Sequence, residues 1–332
     1  MIVLVTGASG FVGSALVPLL AAEGYTGVAT GREPPINLPP GWVGLRRAEV
    51  LANGRTIHRV ECIIHLEVKQ HIARPNADTI AQFEQTNVEG TREWVRWAAA
   101  TGINRFVHFS SIKAVSGEPA IHYEADPPMA DSAYGRSKAA GEKLVRDWAS
   151  EATDRVATIL RPAPVYGPGN QANLAAFVRQ VLLGRRCFVG DGRTRKSLVG
   201  RRNLAAAAAF LLRRDVPGCE IFNVSDFEVV AIRELALLIA ELGNGPKPRG
   251  IPRTMAKLVA AFGDLVGMLT GNEFPLNTIR LRSLTEETIF PCDKLVAAGF
   301  RHPCTLHDGI LEMVDWAKAQ RMDNQAVATT SR

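Results

Sequence analysis

The sequence predicts an α/β fold of Rossmann type: a doubly wound parallel sheet with a smaller C-terminal substrate-binding lobe. Three observations lead there. Aliphatic runs of four to six residues alternate with helical stretches, the pattern of buried parallel strands covered on both faces. The first such run, 2–5, leads directly into Thr6-Gly7-Ala8-Ser9-Gly10-Phe11-Val12-Gly13. After about Gly167 the alternation gives way to a mostly helical pattern.

Taken in order, residues 14–22 read as a helix ending near Gly24, and 25–30 as a second strand closing on Gly31-Arg32-Glu33. Residues 34–40 are a proline-rich loop. Strands follow at 62–66, 106–109 and 156–160, with helices at 90–100 and 134–150 between them. Beyond that, 173–183, 203–213, 232–242, 253–269 and 307–319 read as helices, 185–189 as strand-like, and 221–224 as a return to the sheet. The expected division is a dinucleotide-binding domain over 1–167, a substrate-binding lobe over 168–325 with segments returning to the main domain, and a flexible tail at 326–332. Such sheets bind ligands beyond the carboxyl ends of their strands. Gly7 to Gly13, Glu67 to His71, Ser110-Ser111 and Arg161 to Gly167 should therefore share one rim.

Composition excludes several function classes. The 332 residues are 46% hydrophobic and 22% charged, an ordinary globular balance rather than a disordered one. The net charge of +6 is spread over separated pairs such as Arg46-Arg47 and Arg213-Arg214, so no tract suggests nucleic-acid binding. Five scattered cysteines form neither a zinc pattern nor a disulfide framework. The start enters a strand at once with no basic leader, and the longest apolar run, 204–212, is too short to span a bilayer. A soluble cytoplasmic protein without membrane insertion is expected.

The glycine turn points to a dinucleotide. Gly7 can make the tight turn, Gly10 lets the backbone approach a pyrophosphate, and Gly13 lets helix pack against strand. With Phe11 and Val12 they place a helix N-terminus, rich in unpaired N–H groups, at the phosphates. NAD and NADP both stay open at the end of the second strand. Arg32 could pair with a 2′-phosphate, and Glu33 could serve the ribose.

Tyr134 and Lys138 lie one helical turn apart on a shared face. A phenol is a weak base at neutral pH, but a nearby ammonium favours its ionised form. Tyr134 could then take a hydroxyl proton while hydride leaves the adjacent carbon, with Ser110 and Ser111 orienting that hydroxyl.

With these residues in this order, the chain resembles extended short-chain dehydrogenases/reductases of the NAD-dependent epimerase/dehydratase family, especially nucleotide-sugar 4-epimerases. The resemblance rests on Thr6 to Gly13, Phe106-Val-His-Phe-Ser-Ser-Ile-Lys113, Tyr134-Gly-Arg-Ser-Lys138 and Arg161-Pro-Ala-Pro-Val-Tyr-Gly-Pro-Gly169. It implies that Ser111 polarises the reacting oxygen, Tyr134 is the acid/base, and Lys138 holds the nicotinamide ribose. It also implies Leu66, Asn87 and Ser110 on the cofactor side, Asn173 facing the sugar, and Lys196 beside Arg195 meeting the diphosphate. Arg280 and Arg282 are weaker candidates for that anion. A homodimer is implied as well.

The leading expectation is 4-epimerisation of a UDP-hexose or UDP-N-acetylhexosamine through a 4-keto sugar, a reading that favours NAD. The alternative is an NAD(P)-dependent nucleotide-sugar dehydrogenase or reductase, and the third is a non-catalytic dinucleotide-binding regulator. A dehydratase is disfavoured because Ser111-Ile112-Lys113 offers no acidic pair. Three positions depart from the family pattern. Glu67 follows His65-Leu66 where small residues are common, Ala48-Glu49 gives no clean match to an adenine-reading aspartate, and Val115-Ser116-Gly117 replaces Val-Tyr-Gly.

Overall fold

Aliphatic and β-branched runs build seven parallel strands: β1 (Ile2–Thr6), β2 (Thr26–Gly31), β3 (Trp42–Arg46), β4 (Cys62–His65), β5 (Arg105–Phe109), β6 (Val156–Pro162) and β7 (Gly218–Val224). They hydrogen-bond in the spatial order β7-β6-β5-β4-β1-β2-β3. The computed structural model describes residues 1–53, 59–72, 75–115, 120–170, 173–270 and 277–330, and leaves aside the side chains at 173, 269, 270, 279, 280, 283 and 321–330. The Ser116-Gly117 departure falls outside the described residues.

Alternation along the strands gives the sheet two cores. Val3 and Val5 point to one side, against Leu16, Val17 and Leu20 of α1 (Gly13–Ala22) and Ala208 and Leu211 of the helix Arg201–Leu212. Leu4, Ile63 and Phe106 point to the other. There they meet Trp94 and Trp97 from one helix and Val145 and Trp148 from another. Those helices are α4 (Gly90–Thr101) and α5 (Ala133–Ser150). Two short helices precede them, α2 (Arg47–Ala52) and α3 (Ala77–Phe83). A π-helical turn, Glu84–Glu89, joins α3 to α4. The helix read from the sequence at 90–100 is thus the second half of a longer helical run. The strand β3 was not expected; its half-exposed edge position and central Gly44 blur the apolar pattern that marks the inner strands.

The chain divides into two compact units. The first comprises Met1–Val165, Val199–Phe227 and Phe290–Pro303; the second comprises Tyr166–Leu198, Glu228–Ile289 and Cys304–Arg332. The second unit has its own core. It is formed by Val178 and Val181 of the helix Asn173–Leu182, Leu235 and Ile239 of Ile232–Gly243, and Ile310, Met313 and Val314 of Leu306–Thr330. That last helix continues through most of the segment read as a tail, with no glycine or proline after Gly309 to stop it. No helix among the described residues is long and apolar enough to cross a membrane.

A fully buried ion pair ties the sheet to α5. Both nitrogens of a bidentate Arg161 fork reach Glu142, Nε to Oε1 and Nη2 to Oε2, each at 2.8 Å. Removing one partner of such a pair strands a charge in the interior. Arg161→Leu should therefore lower unfolding free energy by about 3–5 kcal/mol. Comparing urea denaturation of the variant and the parent checks this.

Candidate active site

β1 lies between β2 and β4, so strand order reverses beside it and its carboxyl end opens on the sheet's switch point. Gly7 occupies that end with φ +64°, and a Cβ there would sit 3.0 Å from the backbone of Leu66 and Glu67. A Cβ on Gly13 would lie 2.6 Å from the carbonyl oxygens of Gly7 and Ala8. The turn is closed by Gly10 N–H donating to the Gly7 carbonyl at 3.0 Å and Ala8 N–H to Thr30 at 3.1 Å. No side chain caps α1 at Val12, and the Ser14 and Ala15 amides already bond the Gly10 and Val12 carbonyls at 2.9 and 3.0 Å, so an anion would meet the turn amides that precede them. Phe11 is half-buried, with the Arg201 guanidinium 5.2 Å from its ring centroid. A side-chain-free turn ending in an uncapped helix fits the pyrophosphate of a dinucleotide.

A hydrogen-bond relay fixes the neighbouring edge of β4. Thr91 Oγ1 donates to the Asn87 carbonyl at 2.8 Å, so it accepts from His65 Nε2 at 3.1 Å. His65 Nδ1 is then the acceptor for Thr6 Oγ1 at 2.8 Å, and Thr6 Oγ1 accepts the Leu66 amide at 3.2 Å. Burial drives the His65 pKa well below its ordinary value, which keeps the ring neutral for this role. Asn87 works through the backbone: Oδ1 accepts from Lys69 N–H at 2.8 Å, and Nδ2 donates to Ser137 Oγ at 2.9 Å.

Glu67 follows this edge with its carboxylate engaged by two partners. Its Oε2 accepts from Arg47 Nε at 3.1 Å and Trp94 Nε1 at 2.8 Å. Arg47 also pairs with Glu93 and lies 5.6 Å from the Trp94 ring centroid. At the other side of the turn Arg32 is exposed, while Glu33 is engaged by Arg46 at 3.0 Å. Gly31 and Arg46 are register partners on β2 and β3.

The reacting groups assemble where β5 ends and α5 begins. Ser132 caps α5 by accepting from the Gly135 amide at 3.1 Å. Gly135 lets the helix come close, since a Cβ there would be 2.2 Å from the Lys113 carbonyl oxygen. That approach brings Ser111 to hydrogen-bonding contact with the Tyr134 phenol. The Tyr134 ring is met edge-on by His71 and Phe83, with centroids 5.5 and 5.7 Å away. Although part of the residue is exposed, its phenol is enclosed; burial pushes the pKa up to about 12 and the Ser111 hydrogen bond pulls the other way. Lys138 is fully buried and donates from Nζ to the Phe109 carbonyl at 2.6 Å. Burial lowers its pKa to about 8, opposed by Glu142. The phenol is therefore raised where the sequence suggested lowering, because desolvation outweighs the Ser111 hydrogen bond.

Ser110 is placed differently from Ser111. It is buried, and its hydroxyl donates to Glu142 Oε1 at 2.6 Å, joining the ion pair beneath the site. The remaining substrate candidates belong to the second unit. Asn173 begins its helix Asn173–Leu182, and its side chain, like that of Arg280, is outside the description. Arg195 forms a fork with Glu287 at 2.9 and 3.3 Å. Lys196 Nζ donates to Thr288 Oγ1 at 2.8 Å, and Arg282 pairs with Glu286 at 2.5 Å. The sequence reading missed Thr6, Thr91, Arg47, Gly135 and Glu142. Only Glu142 carried a signal, one turn beyond Lys138 on the same face. No cluster suited to a metal ion occurs among the described residues.

A glycine turn at the switch point and a Ser–Tyr–Lys group on the same rim define an oxidoreductase-type enzyme that works on a bound dinucleotide. The chain belongs to the NAD dependent epimerase/dehydratase family, whose model matches residues 3–225. It is 26% identical over 243 residues to the N-acetyl-alpha-D-glucosaminyl-diphospho-ditrans,octacis-undecaprenol 4-epimerase of Escherichia coli O157:H7, covering 71% of this chain and 72% of that one. With the UDP-glucose 4-epimerase of Vibrio cholerae it shares 27% identity over 322 residues, 92% of each chain. The fold is also that of a UDP-glucuronic acid 4-epimerase from Bacillus cereus solved with UDP-glucuronic acid and NAD. That match has a TM-score of 0.75 at 17% identity, over 96% of this chain and 100% of the other.

The Glu67 anchor makes a specific demand. In Arg47→Ala the Glu67 carboxylate loses its neutralising partner beside the phosphate turn, and dinucleotide affinity should fall about tenfold. Adding Glu67→Gln to that variant should restore most of it. Titrating dinucleotide by protein fluorescence quenching measures both.

Proposed function

We propose that this enzyme interconverts the C4 epimers of a UDP-hexose or UDP-N-acetylhexosamine, with NAD retained through the cycle. The observation that carries this reading is the Ser111–Tyr134–Lys138 assembly on the rim that also holds the glycine turn. NAD held at the glycine turn would supply reversible hydride exchange at C4. Tyr134 exchanges the proton at O4, and Ser111 holds that oxygen by hydrogen bonding. Lys138, buried at the Phe109 carbonyl, supplies the local positive charge that favours the phenolate once the proton is passed. Gly7, Gly10 and the start of α1 cradle the pyrophosphate, with Leu66 alongside. Asn87 positions the Lys69 backbone. The UDP-glucose 4-epimerase relative supports the substrate class, and the undecaprenol-linked relative shares its diphosphate-linked sugar. A homodimer through the helices flanking the sheet belongs to the same reading.

One observation favours a second reading, an NADP(H)-exchanging sugar reductase. Arg46 occupies the Glu33 carboxylate, which removes the acid that would bind an NAD ribose and leaves Arg32 exposed at the end of β2.

Two experiments separate these readings. Tyr134→Phe should lose turnover by about 10²–10⁴-fold on a UDP-sugar panel while still binding dinucleotide; unchanged turnover would sink both. Arg32→Ala should leave affinity for NAD unaltered. If it weakens NADP binding about tenfold instead, with NADPH consumed stoichiometrically by a keto sugar, the reductase reading replaces the epimerase.

A further inference from the structure

The helix Arg253–Thr270 in the second unit distributes its apolar side chains in reverse. Its buried positions are small: Ala256, Ala260 and Gly263. Its large apolar residues face outward. Met255, Leu258, Val259 and Leu265 are 50%, 73%, 36% and 52% exposed. At about 100° per residue these four fall in one sector of the helix, away from the small buried ones. Phe262, 56% exposed, lies in the same sector. The helix is nonetheless held in place, because Asp264 accepts from the Thr278 amide at 3.2 Å. A row of large, part-exposed apolar side chains on an anchored helix is the kind of patch that marks an interaction surface.

The surrounding charge indicates what the surface meets. Between positions 246 and 270 there are four basic residues, Lys247, Arg249, Arg253 and Lys257, and one acid, Asp264. All four basic residues are exposed. The acid is committed to Thr278, and Arg253 has only a 3.9 Å approach to Asp191. An apolar face backed by a basic one is the composition of a helix that lies flat in the interface of an anionic bilayer. A second copy of the chain is a poorer occupant, since it offers these four cations no acidic patch from the same segment, whose one acid, Asp264, is bonded to Thr278. We propose that Arg253–Thr270 is a peripheral membrane anchor. Met255, Leu258, Val259 and Leu265 enter the acyl boundary, and Lys247, Arg249, Arg253 and Lys257 are drawn to lipid phosphates. Nothing in this depends on whether the enzyme is an epimerase or a reductase.

Flotation of the purified full chain with vesicles tests it. Vesicles of phosphatidylcholine with phosphatidylglycerol should carry the protein upward, and phosphatidylcholine alone should not. Leu258→Gln/Leu265→Gln should reduce binding at least about tenfold. Lys247→Gln/Arg249→Gln/Lys257→Gln should reduce it and flatten its salt dependence. All of these residues are exposed, so the variants should keep the parent melting temperature and dinucleotide affinity. Absence of the parent from anionic vesicles, or flotation of the leucine variant like the parent, overturns the proposal. So does equal binding to neutral vesicles. Dissociation of a parent dimer by the leucine variant in sedimentation velocity also overturns it, by assigning the face to a second copy.

Discussion

The Glu142–Arg161 pair, sealed beneath the reacting groups, is the constraint on which the site depends. Taking two charges out of water costs several kcal/mol per ion, and only near-ideal geometry offsets that. Here the offset is a bidentate fork plus a third bond from the Ser110 hydroxyl. The fork joins the end of β6 to the middle of α5, and Ser110 attaches the end of β5 to both. Tyr134 and Lys138 are on the N-terminal half of that helix and Ser111 follows Ser110, so one polar knot sets their separation. The same Glu142 also opposes the burial that lowers the Lys138 pKa. Catalytic positioning and core stability are thus served by the same atoms.

A second layer works through backbone rather than charge. Thr6, His65 and Thr91 pass hydrogen bonds from β1 through β4 to α4, and each donor–acceptor assignment forces the next. The edge that faces the glycine turn is therefore defined by neutral groups, in keeping with a site for an anionic cofactor. Asn87 extends the arrangement to Ser137, which couples the loop after β4 to α5.

Much of this was legible in the sequence, for identifiable reasons. The inner strands are continuous aliphatic runs, and the turn residues stand next to them, so fold class and glycine cradle follow from local pattern. Tyr134 and Lys138 are legible because helical spacing alone puts them together. β3 was obscure because an edge strand buries little. The raised Tyr134 pKa was obscure because desolvation depends on what surrounds a phenol, here His71 and Phe83, which come from other segments. Glu67 looked like an intruder because its partners Arg47 and Trp94 are 20 and 27 positions away. The sequence reads 253–269 as a helix, and only burial shows that its large apolar side chains face out.

The Glu67 arrangement also bears on how this lineage can change. Arg47 and Trp94 both bond the Glu67 carboxylate beside the phosphate turn, so the three residues act as one structural unit. Moving the His65 to Lys69 loop into a relative that lacks the arginine and tryptophan would import a negative charge with no counterweight. An exchange of segments that ends between α2 and β4 would do the same.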